Sequence, residues 1–390
     1  MMVLGRDAAG NPWPPPLPRE LCEPIGFFGG PNDDNLRLLR EANVTAAPMV
    51  EPAAGDAAAR RGEGGGHGQQ RQPTVLCLMY TMETQHATSV RAARETWAGG
   101  CDGFLAFSTR SDPRLPAIAL PHVGPEAYDN MWQKIRSMWT FVSKHYVRDF
   151  DYFIIGGEDL YILPGNLRAY LATVGSPDQV HFLGRRFKGR GRSNYFNSGG
   201  AGYVLSRAAL ERLAPLLNTK QCGALAHTSM EDVMVAQCLR KALGVNISDT
   251  RDAQGRERFH PFSPGTHYNW RPPKPGKPAD WYEEYNREWG IKYGRECCAP
   301  DSVSFHYIKK PAMVRHLHAL LYDCGERGTP APPSPPLGSV GASAGSPLHL
   351  PQTGAAEPSS AVARRLGVGR HARMWRASLG ARRQRPSQVA

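Results

Sequence analysis

Between about residue 73 and residue 326 the apolar positions follow two alternating patterns. Val75-Leu76-Cys77-Leu78-Met79-Tyr80 is an unbroken apolar run of strand length, residues 103–107 and 152–155 read as further buried strands, and residues 180–183, interrupted only by His181, as a fourth. Runs without a polar face are what strands covered on both sides look like. Between them, residues 89–97 read as helical. Met131, Ile135, Met138, Trp139 and Val142 recur at three- and four-residue spacing and predict an amphipathic helix over 130–146. Ser206 stands as an N-cap before a helix whose apolar face is Leu210, Leu213 and Leu217. A helix opened by acids is predicted over 230–243, a late strand over 303–307 and a closing helix over 311–322. Strands and helices in alternation predict an α/β fold, a mostly parallel central sheet with helices on both faces.

The flanks lack such periodicity. Residues 1–72 are rich in Gly, Pro, Ala and Arg, with a low-complexity stretch over 60–71, and are expected to be mostly disordered. Residues 327–390 are Pro/Ser/Ala-rich, then Arg-rich, and carry the same expectation. From Gly328 onward there are eight Arg against one acid, Glu357, so this tail holds +7 of the net charge of +12. The remainder is only mildly basic, which suits an anionic substrate and gives no reason to assign a nucleic-acid partner. Aromatic interleaving in the tail is limited to Trp375.

Eight cysteines and two sequons, Asn43-Val44-Thr45 and Asn246-Ile247-Ser248, fit an oxidising lumen. No zinc-type pair of CxxC motifs occurs, and the adjacent Cys297-Cys298 is ill suited to a tetrahedral metal. No run of about 18 apolar residues is present, and the first residues do not form a charged-then-apolar leader. Taken alone, that second pattern describes a soluble, untargeted chain.

Five groups could carry chemistry. Gly156-Gly157-Glu158-Asp159 follows the strand at 152–155, where ligands collect in open α/β sheets. Its carboxylates suit Mg²⁺ or Mn²⁺, or form an ordinary acidic turn. The small residues of Asn197-Ser198-Gly199-Gly200-Ala201-Gly202-Tyr203 permit close approach of a ligand or make a crowded turn. Glu231-Asp232 is favoured at a helix start by the helix dipole, and is also placed as a general base would be. His306 on a strand is a core residue unless a second ligand converges on it. The aromatic region 270–293, with Trp281, Tyr282, Tyr285 and Trp289, could stack on sugars, pack a core or bind nucleic acid. Its prolines predict a loop.

In this order the pieces resemble the core 1 β1,3-galactosyltransferases of glycosyltransferase family 31. The resemblance covers about 73–325. It runs through Val90-Arg91-Ala92-Ala93-Arg94-Glu95-Thr96-Trp97, Trp132-Gln133-Lys134-Ile135, Asp151-Tyr152-Phe153 and Asp159-Leu160-Tyr161. It continues through Phe182-Leu183-Gly184-Arg185-Arg186-Phe187-Lys188, the small-residue turn with Val204-Leu205-Ser206, Glu231-Asp232-Val233, Phe259-His260-Pro261-Phe262 and Cys297-Cys298. It implies a GT-A (Rossmann-like) fold, a UDP-galactose donor, Mn²⁺, and transfer with inversion to C3 of N-acetylgalactosamine on Ser or Thr of a glycoprotein or glycopeptide. It also implies a type II membrane protein of the Golgi and leaves room for a homodimer. Disulfides Cys77–Cys101, Cys222–Cys238 and Cys297–Cys298 are implied by resemblance.

Residue by residue, the resemblance implies Asp159 and His306 as metal ligands and Asp232 as catalytic base. It places Gly199, Gly200 and Ala201 in the sugar pocket, and Trp281 with its neighbour Tyr282 toward the acceptor. Arg91, Arg94 and Lys134 are the basic candidates for stabilising charge at the diphosphate, and Glu158, one carbon longer than Asp, is a candidate to reach back toward the nucleotide. One departure stands out: Gly157 occupies the place of the first of three acids. A chaperone relative of the same fold lost its acidic motif, and Gly157 points that way. Asp159, Asp232 and His306 point to catalysis.

Overall fold

The computed structural model describes residues 34–49, 71–191 and 194–323. The expectations for 1–33, 50–70 and 327–390 lie outside the described residues. The main sheet has six strands: β1 (Val75–Tyr80), β2 (Gly103–Ser108), β3 (Ala117–Ala119), β4 (Tyr152–Gly157), β6 (Phe182–Gly184) and β9 (Tyr203–Ser206). Their order is β3-β2-β1-β4-β9-β6, with β9 antiparallel to both neighbours and the other pairings parallel. In β1, Cys77 lies opposite Phe104 and Ile154. Three short strands, β5 (Tyr161–Ile162), β10 (Phe259–His260) and β11 (Ser304–Phe305), form a second sheet, and β7 (Arg186–Lys188) with β8 (Tyr195–Asn197) makes a hairpin.

The unbroken apolar runs split by residue parity, as a pleated strand requires. Val75, Cys77 and Met79 enter one core and Leu76 and Leu78 the other. The first core is covered by α2 (Arg91–Glu95), α4 (Pro164–Val174) and α9 (Pro311–His318). The second is covered by α3 (Met131–Tyr146), α5 (Arg207–Leu213) and α6 (Glu231–Leu243). On α3, Ile135, Met138, Trp139 and Val142 of the face that the periodicity predicted are fully buried, whereas Met131 is only partly buried and its neighbour Trp132 is fully buried instead. Ser206 caps α5, its Oγ accepting from the Ala209 N–H. The three disulfides Cys77–Cys101, Cys222–Cys238 and Cys297–Cys298 are formed.

Two expectations change. Within 1–72, residues 34–49 are ordered: α1 (Asp34–Glu41) lies against α7 (Pro264–Asn269), and Leu38, Leu39, Ala42 and Val44 are buried. An eight-residue helix is marginal alone, so the order comes from packing, which local composition does not reveal. The expected loop at 270–293 contains α8 (Trp281–Asn286), capped by Asp280, whose side chain accepts from the Glu283 N–H.

Buried Asn166, on α4, clasps the strap that follows α1. Its Nδ2 donates to the carbonyls of Thr45 (2.7 Å) and Ser302 (2.8 Å), and its Oδ1 accepts from the Ala47 N–H at 2.7 Å. Asn166→Ala leaves these groups without their partner, at roughly 1–3 kcal/mol for each that stays buried. The variant is expected to melt several degrees below wild type in a calorimetric scan, and an unchanged Tm would show that Asn166 does not hold the strap.

Candidate active site

The site begins where β4 ends. A Cβ at Gly156 would lie 2.2 Å from Leu160 Cδ2, so the glycine leaves the room in which Leu160 packs under the turn. The turn brings Asp159 Oδ1 to 3.2 Å from His306 Nε2, just past β11. The Ile308 N–H donates to the Asp159 carbonyl at 2.9 Å, tying the two strand exits together. His306 Nδ1 lies 3.1 Å from the Pro261 carbonyl oxygen, which only accepts, so Nε2 is the nitrogen presented toward Asp159. Burial would raise the Asp159 carboxyl, but hydrogen bonding to His306 and the nearby His306 and Lys309 charges hold it below the usual range.

An oxygen and a nitrogen donor thus converge from two strands. Among the described residues no three His, Cys, Asp or Glu gather into a metal cluster. Mg²⁺ and similar cations at nucleotide sites take one or two protein ligands and complete their shell with phosphate and water. The pair fits a cation shared with a diphosphate. Glu158 is not part of it: its Oε2 accepts from Thr81 Oγ1 at 2.6 Å, and burial raises its carboxyl.

The turn between β8 and β9 forms the opposite wall. Asp232, in the first turn of α6, accepts from the Gly199 N–H through Oδ2 and from the Val233 N–H through Oδ1, both at 2.8 Å. Burial raises its carboxyl, with those backbone bonds opposing. Glu231 is more deeply committed. Its Oε2 accepts from the Tyr203 hydroxyl at 3.0 Å, and that hydroxyl accepts from Trp139 Nε1 at 3.1 Å. Burial, then the Asp232 charge, hold Glu231 well above the usual carboxylate range. Two adjacent acids are thereby given different environments: Asp232, with two backbone donors, is the one suited to stay ionised.

Gly199 and Gly200 separate the two halves of the site. A Cβ at Gly199 would lie 2.3 Å from Glu231 Oε1, and one at Gly200 would lie 2.5 Å from His306 Cε1. Ala201 is fully buried, and its carbonyl accepts from Ser304 Oγ at 2.6 Å. The turn therefore puts Asp232 on one side and His306 on the other.

Two tyrosines that the sequence did not single out belong here. Burial, then the Glu231, Asp159 and Asp232 charges, push the Tyr80 phenol well above its usual range. Tyr128 is 70% exposed as a residue, but partial burial of its phenol and then the Asp232, Glu231, Asp129 and Asp159 charges push it above its usual range. Tyr307 is a third addition: its ring stacks on His306 at 4.0 Å, and its φ of +60° is unusual for a residue with a bulky side chain.

The remaining expected residues are distributed differently. Lys134 Nζ donates to the Thr81 carbonyl (2.6 Å) and to Glu126 Oε1 (2.5 Å), so its charge is already paired beside Thr81. Arg91 and Arg94 line a cavity of about 610 Å³ past the ends of β1 and β2, with Glu83, His86, Arg110 and Arg114. Tyr282 corrects an expectation: it is 2% exposed, its hydroxyl accepts from Arg185 at 3.0 Å, and it packs the core. Its place on α8 turns it inward, so it is not open to an acceptor. Trp281 is 49% exposed and sits edge-on to Phe262 at 5.6 Å. Phe262 in turn stacks with Tyr307 at 6.2 Å, so an aromatic run leads from α8 to His306.

Residues 75–266 match the family model described as Fringe-like. The chain is 33% identical over 263 residues to glycoprotein-N-acetylgalactosamine 3-beta-galactosyltransferase 1 of Xenopus laevis, covering 67% of this chain and 70% of that protein. It is 28% identical over 333 residues to human chondroitin sulfate synthase 3, covering 79% of this chain but 35% of that protein. A solved glycosyltransferase involved in the glycosylation of the major capsid of PBCV-1 aligns with 63% of this chain and 98% of its own, at 12% identity and a TM-score of 0.32.

Proposed function

Since this chain belongs to the Fringe-like glycosyltransferases of family 31, we propose that it transfers galactose from UDP-galactose to C3 of N-acetylgalactosamine on Ser or Thr, with inversion. The observation that carries the reading is the Gly199-Gly200 turn, which sets Asp232 across from the Asp159–His306 pair. A base on one side of the sugar and a leaving-group site on the other is what a single in-line displacement needs.

Asp232 removes the acceptor hydroxyl proton as that oxygen attacks the anomeric carbon. Its two backbone hydrogen bonds fix the direction of the carboxylate, and its raised proton affinity makes it a stronger base than a solvated aspartate. Asp159 and His306 would hold Mn²⁺ against the diphosphate, where a divalent cation stabilises the leaving group's charge. Lys134 acts through Thr81 and Glu158 at the edge of this site, and Arg91 and Arg94 give the cavity beyond β1 and β2 a basic wall for the rest of the nucleotide. Trp281 and Tyr307, both partly exposed, offer ring faces to the acceptor.

Three disulfides favour the secretory-pathway lumen, and a Golgi setting with type II topology is part of the proposal. Among the described residues no helix is long and apolar enough to cross a membrane.

The similarity to chondroitin sulfate synthase 3, and to human chondroitin sulfate glucuronyltransferase at 29% identity over 189 residues, favours one second reading: a different sugar or acceptor in the same site. One assay separates them. The protein is given UDP-galactose or UDP-glucuronic acid, with an N-acetylgalactosamine-α-Ser/Thr peptide or a chondroitin oligosaccharide, in Mn²⁺ or in chelator. Metal-dependent galactosylation of the glycopeptide is expected. Transfer only to chondroitin establishes the second reading. Failure of all UDP-sugars with folded protein indicates a chaperone-like relative.

A further inference from the structure

The acid missing at position 157 leaves a space, and the structure shows what fills it. A Cβ built on Gly157 would lie 3.0 Å from Tyr80 Cε2 and 3.2 Å from both Tyr80 Cζ and Asp159 Oδ1. Gly157 and Tyr80 are opposite each other across the parallel pairing of β4 and β1, each the last residue of its strand. A carboxylate at 157 would need the volume that the phenol ring now occupies, beside the Asp159 oxygen that faces His306. The exchange also changes the chemistry on offer. A carboxylate accepts hydrogen bonds and adds a negative charge. A phenol carries no charge here and donates one hydrogen bond.

The Tyr80 hydroxyl has no hydrogen-bond partner among the described residues, although the side chain is largely buried in a neighbourhood that includes Glu231, Asp159 and Asp232. Other buried hydroxyls nearby are engaged: Tyr203 donates to Glu231 and Thr81 to Glu158. An unengaged O–H beside the Asp159–His306 pair is complementary to an anionic oxygen of a nucleotide diphosphate, which a carboxylate in the same place would repel unless a cation lay between them.

We propose that Tyr80 is a donor-binding residue that takes the place of the absent acid at 157, its hydroxyl donating to the diphosphate of the nucleotide-sugar. The proposal rests on the reading of the site as one for a UDP-sugar. It makes Tyr80 and Gly157 a coupled pair: changing one alone costs binding, and changing both together recovers part of it.

The test is UDP binding measured by calorimetry on the full chain, in Mn²⁺ and in chelator, with Tm recorded for each variant. Tyr80→Phe keeps the ring over Gly157 and removes only the hydroxyl. It is expected to weaken UDP about tenfold with Tm unchanged. Gly157→Asp is expected to weaken UDP by more than tenfold and to lower Tm, because the new side chain meets the ring. Tyr80→Ala/Gly157→Asp is expected to bind more tightly than Gly157→Asp alone, and only in Mn²⁺. Wild-type affinity in Tyr80→Phe overturns the proposal, as does a double variant no better than Gly157→Asp. Absence of UDP binding by the wild type would instead sink the UDP-sugar reading on which the proposal stands.

Discussion

Asp232→Asn is expected to cut transferase turnover by about 10²- to 10⁴-fold, the usual worth of a positioned general base, while UDP binds as in wild type. The amide is nearly isosteric with the carboxylate. The two backbone donors that hold the carboxylate, Gly199 N–H and Val233 N–H, lie on different oxygens. An amide can satisfy only one of them with its oxygen, so a small drop in Tm is expected beside the loss of rate. The pH profile gives an independent reading. Burial raises the Asp232 carboxyl, and a base works only when unprotonated. Turnover should therefore fall on the acid side, and begin to fall at higher pH than an ordinary aspartate near 3.9 would allow. That acid limb should vanish from the residual rate of Asp232→Asn. Near-normal turnover in the variant would remove Asp232 from the mechanism.

The strands and amphipathic helices behind this site were legible in the sequence because burial on both faces leaves unbroken apolar runs, and burial of one face leaves a period. β1, β2, β4 and α3 fall where the pattern puts them. β9 was not distinguished, since Tyr203-Val204-Leu205-Ser206 follows directly on the glycine turn and reads as its continuation. Its antiparallel direction is a matter of chain path. α1 and α8 were missed for a related reason. Each is a short helix whose order depends on a partner far along the chain: α7 for α1, and the β7 strand with Phe262 for α8.

The chemistry divides in the same way. Asp159, Asp232 and His306 are residue types that suggest a role wherever they occur, and the structure brings them around one turn. Tyr80 ends a predicted core strand, and nothing local distinguishes a core tyrosine from one whose hydroxyl faces a site. Tyr282 failed in the opposite sense. The aromatic residues of 270–293 left sugar stacking, core packing and nucleic-acid binding open, and the resemblance pointed Tyr282 toward the acceptor, but six-residue α8 turns Tyr282 into the core and leaves Trp281 half outside. Composition gives the number of rings and cannot give their direction.

Gly200→Ala and Gly199→Ala are expected to fail in different ways, although they are neighbours differing from wild type by one methyl group each. Neither glycine has a positive φ, so alanine's backbone preferences do not decide the outcome and the added atom does. At Gly200 that atom would lie 2.5 Å from His306 Cε1 and 2.6 Å from Nδ1. His306 has little room to retreat. Its Nδ1 is held at the Pro261 carbonyl, its N–H donates to the His260 carbonyl at 3.1 Å, and Tyr307 stacks on its ring. The imidazole must rotate or the turn must lift, and either one separates it from Asp159. Overpacking of this kind costs about 1–3 kcal/mol, here concentrated on the cation-facing half of the site. UDP affinity in Mn²⁺ should fall by at least about tenfold, the equivalent of 1.4 kcal/mol, and turnover with it. At Gly199 the added atom meets Glu231 Oε1 at 2.3 Å and lies 3.3 Å from Asp232 Cβ. The strain falls first on Glu231 and through it on the adjacent base Asp232, so turnover should drop while UDP binding in Mn²⁺ stays close to wild type. If both variants lose UDP equally, the turn does not divide the site into a leaving-group half and a base half, and the assignment of Asp232 and His306 to opposite sides of the sugar is wrong.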